Sequence, residues 1–154
     1  MGRRRGGPPQ RRVPPPLGGE GARFRAPSAL LHPPVNALPL VALGGALGAS
    51  ARYGLALASA RLFGPDWPVG TWAANVLGCF LIGLAIPLLV TDRARLGVVT
   101  GFLGAFTTFS TYSAETVGLW ESGRLGLAAA NALGSVVAGL AAVAAGLAVA
   151  RALA

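Results

Sequence analysis

The sequence contains no lysine and little charge of either sign. All 13 of its basic residues are Arg, its acids number 5, and charged residues make up 12% of its 154. A soluble domain carries about a quarter charged residues, so this scarcity argues against an ordinary water-exposed surface. The chain has one histidine, His32, and one cysteine, Cys79. A single cysteine excludes an intrachain disulfide. No HExxH, phosphate-binding loop, carboxylate pair or hydrolase triad can be assembled, and the chain is therefore not read as an enzyme. The exclusive use of Arg is read as codon bias and not as a site.

What is present is apolar. Hydrophobic residues make up 53% of the chain, and the mean hydropathy is +0.60. Together with long apolar runs, this predicts an all-α integral membrane protein with no room for a separate soluble domain. Residues 1–35 differ from the rest. They are rich in Pro, Gly and Arg, lack the apolar region of a signal peptide, and read as a disordered tail. The alternative is a start site downstream of residue 1. The tail holds seven Arg (Arg3, Arg4, Arg5, Arg11, Arg12, Arg23, Arg25) and one acid, Glu20, and so supplies six of the eight net positive charges. With no folded aromatic platform beside it, contact with anionic lipid and control of topology suit it better than nucleic acid.

Residues 36–154 contain four apolar segments, at about 36–60, 70–90, 96–120 and 125–150. Each reaches the roughly 20 residues that a helix needs to cross a bilayer. The connections carry turn and charge signals: Gly64-Pro65-Asp66, Thr91-Asp92-Arg93 and Glu121-Ser122-Gly123-Arg124. An even number of spans puts both termini on one side. The surplus of Arg there predicts a cytoplasmic tail in a multi-pass protein of the cell membrane. Pro87 falls near the end of the second segment, where a kink is tolerable.

Several features inside these segments are unusual for hydrocarbon. Gly44, Gly45, Gly48 and Ala49 form small-residue pairs at four-residue spacing, and Asn131, Ser135 and Gly139 repeat the spacing in the fourth segment; both patterns suit close helix packing. Arg52 is the only charge in the first segment and acts either as an interface anchor or as an electrostatic attractor at an anion vestibule. Thr71, Asn75 and Gly78 share one face. The Asn75 amide serves either an interhelical hydrogen bond or an anion giving up its water.

The third segment contains GFLGAFTTFSTYSAE, Gly101 to Glu115. Thr107, Thr108, Ser110, Thr111 and Ser113 crowd together where a bilayer penalises unpartnered polar groups. Gly101, Gly104 and the Thr-Thr pair predict a break in the helix, and the freed carbonyl oxygens suit a hard cation. Phe109 and Tyr112 would share a face on the resumed helix. They serve either core packing or, through their positive ring edges, a small anion. Glu115 is expected to cap or hydrogen-bond the broken helix.

Three stretches in this order, GGALGASARYG (Gly44–Gly54), GTWAANVLGCFLIG (Gly70–Gly83) and GFLGAFTTFSTYSAE, resemble the CrcB/Fluc fluoride channels over about residues 36–150. The resemblance implies four transmembrane helices with a break in the third, assembled as an antiparallel, dual-topology dimer. It implies two fluoride pores and a structural, untransported sodium ion held by backbone carbonyls of Gly104 and Thr107. Phe109, Tyr112 and Asn75 match pore positions, and Arg52 matches a vestibule arginine. Thr108, Ser110 and Ser135 match polar positions near the pathway, and Glu115 matches the acid after the break. Tyr112 stands where Phe is common, and Asn131 where Tyr is expected. The implied function is passive export of cytoplasmic fluoride, which reduces its toxicity. The Arg-rich tail fixes orientation strongly, which raises a heterodimer with an oppositely oriented paralogue as the alternative to a homodimer. Two other classes compete. A small multidrug exporter would need an acid in the first segment, and a helical scaffold would leave the hydroxyl-aromatic cluster unexplained.

Overall fold

The computed structural model describes residues 35–64 and 67–153. The Arg-rich tail and the Pro65-Asp66 turn lie outside the described residues. A single 3₁₀ turn, Val35–Ala37, leads into α1, Leu38–Phe63. Then follow α2 (Val69–Leu88), the short α3 (Asp92–Arg95), a π-helical stretch (Leu96–Leu103), α4 (Gly104–Phe106), α5 (Phe109–Glu121) and α6 (Leu125–Leu153). All the described elements are helical.

Three of these helices, α1, α2 and α6, are long and apolar enough to cross a membrane. At 26, 20 and 29 residues they measure roughly 39, 30 and 44 Å, against about 30 Å of hydrocarbon. Few of their residues are buried, and large side chains such as Leu62, Leu133 and Leu140 are exposed. Apolar surface on every side of a helix belongs in lipid or against another apolar partner. The chain is a multi-pass membrane protein. The third expected span is not one helix. From Asp92 to Phe106 the chain stays helical through the π stretch, opens at Thr107 and Thr108, and resumes as α5.

Glycines set the packing. On α1, a Cβ at Gly44 would collide with the Gly97 carbonyl oxygen, and one at Gly48 with that of Phe102. The small-residue face of α1 therefore lies directly on the π stretch. A second tight pair joins α2 to α6: a Cβ at Gly83 would strike the Val143 carbonyl, and one at Gly146 that of Phe80. Close backbone contact replaces a hydrophobic driving force that lipid cannot supply.

Both connections within the described residues are capped. Thr91 Oγ1 accepts from Ala94 N at the start of α3. The Arg95 guanidinium donates to the Ile86 carbonyl at the end of α2 (3.3 Å), where a cation also meets the negative end of the helix dipole. Gly64 and Gly123 end α1 and the α5 turn with φ of 81° and 74°, values that L side chains rarely adopt.

A candidate ion site at the broken helix

The break occupies Thr107 and Thr108, both extended, with ψ of 155° and 120°. β-Branched residues favour that conformation. Gly101 and Gly104 stay within helical elements, so the glycines do not make the break. Side chains hold it open instead. Asn75 on α2 brackets Thr108: its Nδ2 donates to Thr108 O at 3.0 Å, and its Oδ1 accepts from Thr108 N at 2.7 Å. Thr108 in turn caps α5, its Oγ1 accepting from Thr111 N at 3.2 Å. Gly78 admits the Thr107 methyl, which a Cβ there would displace.

This bonding decides which backbone oxygens remain open. In a continuous helix, Gly104 O would accept from Thr108 N, and Thr107 O from Thr111 N. The first donor is taken by Asn75 and the second by Thr108 Oγ1. The two oxygens therefore lack their helical partners at the C-terminal, negative end of a helix. Between them in sequence, Ala105 O accepts from Arg52 Nε at 3.1 Å. A neutral oxygen pair at a helix end suits a hard monovalent cation such as sodium. Among the described residues no group of three or more His, Cys, Asp or Glu offers another metal site.

Arg52 sits near the middle of α1, eleven residues before its end, half-buried and bonded to the break. Glu115 does not cap the broken helix, a role filled by Thr108. Glu115 accepts from Thr71 Oγ1 at 2.7 Å, which ties α5 to α2, and its second oxygen, Oε2, is buried without a partner.

Phe109 and Tyr112 do share a face of α5. Their ring centroids lie 5.5 Å apart with planes tilted by 41°. Phe109 is 79% exposed, whereas Tyr112 is pinned, its hydroxyl donating to Ala132 O on α6 at 2.8 Å. That hydroxyl is thus directed at α6. Asn131, buried on α6, donates to Thr116 Oγ1 at 2.8 Å and accepts from Ser135 Oγ at 3.4 Å. The two departures from the family pattern therefore both join α5 to α6.

The hydroxyls of the cluster differ in what they have left to give. Ser113 donates to Phe109 O and Thr116 to Tyr112 O, so both protons are engaged along α5. Thr108 Oγ1 contacts Ser110 Oγ at 3.2 Å and donates to Thr111 Oγ1 at 3.1 Å. A cavity of about 280 Å³ unites Asn75, Gly104, Thr107, Thr108 and Phe109, with Cys79 in its wall. A second, of about 500 Å³, takes in Thr71 and Glu115 beside Ser59, Trp67 and Arg124. Tyr112, Ser135 and Arg52 line neither. The part played by Thr116 was not read from the sequence, although its four-residue spacing from Tyr112 offered a signal.

The family described as CrcB-like protein, Camphor Resistance (CrcB), matches residues 39–147. This chain belongs to that family. Among its relatives, a protein of Agrobacterium fabrum is 49% identical over 119 residues, covering 74% of this chain and 95% of that one. One of Cereibacter sphaeroides is 50% identical over 119 residues, covering 76% and 96%. One of Chloroflexus aurantiacus is 45% identical over 122 residues, covering 76% and 97%. All three relatives carry the name fluoride-specific ion channel FluC. They are channels and not enzymes, and the matched region takes in the break, Asn75 and both rings.

Proposed function

We propose that this chain is a fluoride channel of the cell membrane, and that it exports cytoplasmic fluoride passively. The fluoride assignment rests on the relatives' names. The carrying structural observation is the break that Asn75 holds open beside Phe109. HF enters a cell and dissociates at neutral internal pH, and a passive pore lets the anion leave down its gradient. A narrow, dehydrated passage favours the smallest halide only where donors and ring edges replace its water. In this reading Asn75 and Phe109 do so, with Tyr112, Thr108 and Ser110 beside them. Thr71, Glu115 and Ser135 continue the polar route toward the ends of α2 and α6.

The two pieces of the broken helix count as the third of four crossings. A sodium ion, when held by Gly104 O and Thr107 O, supplies fixed positive charge that keeps the break from closing. Two open oxygens are few for such an ion, so a second subunit, inserted in the opposite sense, would complete the set. That subunit is a second copy or an oppositely oriented paralogue. The exporter alternative lacks its essential acid, since α1 carries Arg52 and Arg61 but no Asp or Glu.

The test is fluoride efflux from proteoliposomes, read with a fluoride electrode. Phe109→Ile is expected to abolish efflux while the protein still elutes as a folded oligomer. Undiminished efflux would remove Phe109 from the pathway.

A further inference from the structure

Arg52 is the feature that the pathway account leaves unexplained. It is a permanent charge near the middle of α1, and its Nε donates to Ala105 O, the carbonyl next in sequence to Gly104. Its remaining nitrogens make no hydrogen bond within the described residues. Cation and guanidinium therefore address the same helix end, one residue apart. This inference rests on the cation reading proposed above and deepens it.

Neutral carbonyl oxygens select ions by size and hardness. Sodium and calcium ions are nearly equal in radius and both hard, so Gly104 O and Thr107 O alone cannot tell them apart. On ligand count and charge, the divalent ion would win. Charge has to discriminate instead. Coulomb repulsion from a fixed guanidinium scales with the charge on the ion, so its energy doubles for a divalent. Among the described residues no carboxylate lines the cavity at the break to cancel it.

We propose that Arg52 is the charge filter of this site: bonded to Ala105 O, it keeps divalent cations off the Gly104 and Thr107 carbonyls and leaves them to a monovalent ion. It touches no transported anion in this role. The carbonyls choose the ion's size and Arg52 chooses its charge.

The test uses the full-length protein in detergent and follows its melting by tryptophan fluorescence. Sodium or calcium chloride is varied at fixed ionic strength. The informative variant is Arg52→Gln. The Gln amide nitrogen stands where Arg Nε stood, so the bond to Ala105 O is kept and only the charge is lost. The parent is expected to be stabilised by sodium and not by calcium at millimolar concentrations. In Arg52→Gln the sodium midpoint should fall roughly tenfold, and calcium should bind roughly a hundredfold better and now stabilise. An Arg52→Gln protein with the parent's sodium midpoint and no calcium response overturns the proposal. Should that variant fail to fold, Arg52→Lys keeps the charge without the Nε bond and is expected to exclude calcium still; calcium stabilisation there overturns it equally. A parent indifferent to sodium would instead fell the underlying cation reading, which separates the two failures.

Discussion

Asn75 holds the break through both ends of its amide. One amide satisfies both the N–H and the C=O of Thr108, as a neighbouring strand would, and so prevents that residue from joining the helix on either side. Asn75→Ala strands both groups, at about 1–3 kcal/mol each. It also frees Thr108 N to close on Gly104 O. We expect fluoride efflux to be lost together with any stabilisation by sodium, measured by electrode and by thermal melting. Tyr112→Phe should behave oppositely. It removes one bond, to an Ala132 oxygen that lies within the regular helix α6, at a cost of about 1 kcal/mol. Melting should fall slightly while efflux persists. Residue types were legible in the sequence, but their partners were not. Asn75 meets Thr108 across 33 residues, Thr71 meets Glu115 across 44, and Arg52 meets Ala105 across 53. No local periodicity encodes such pairings. The hydroxyl on Tyr112 and the amide at Asn131 looked like weaknesses of the site; each proves to be a cross-link between α5 and α6.

At the scale of elements, the unbroken spans α1, α2 and α6 could be read from apolar run length, with ends displaced by no more than three residues. The break was legible in the Thr-Thr pair, where it falls, but not in Gly101 and Gly104, which stay helical: glycine weakens a helix without ending one, whereas paired β-branched residues with a bracketing amide do end it. The π stretch was not legible at all, since its side chains are those of any buried helix. Its register follows from contact with Gly44 and Gly48 on α1. An equally close seam lies between α2 and α6, where Gly83 and Gly146 bring backbones together, and this pair escaped the sequence reading because its members lie 63 positions apart. Gly146→Val must push α6 away from the Phe80 carbonyl, with no flexible side chain to yield. The expected result is loss of the folded peak in size-exclusion chromatography, whereas Gly126→Ala, with nothing nearby, should leave it unchanged.

At the scale of the molecule, α1, α2, α5 and α6 expose large apolar and polar side chains that need a partner or lipid, Phe109 and Ser110 among them. Aromatic anchors Phe63, Trp67 and Trp120 gather at the ends of helices on one side. Arg61 and Arg124 lie on that side, and Arg93, Arg95 and Arg151 on the other. The arginines of residues 1–35, added to that small difference, are expected to favour one orientation of this chain. A C-terminal cysteine tag in cells expressing this chain alone should therefore label from one face of the membrane. Equal labelling from both faces would contradict a fixed orientation and favour a homodimer over a pair with a paralogue.

The central claim is that the break in the third crossing forms part of a fluoride-selective pathway. Its most direct test is anion efflux from proteoliposomes containing only the purified chain or its pair, with fluoride and chloride loaded together and valinomycin balancing the charge. The account predicts rapid loss of fluoride with chloride retained, and no loss of either from Phe109→Ile vesicles. Equal release of both anions, or release of neither by the parent, would contradict it.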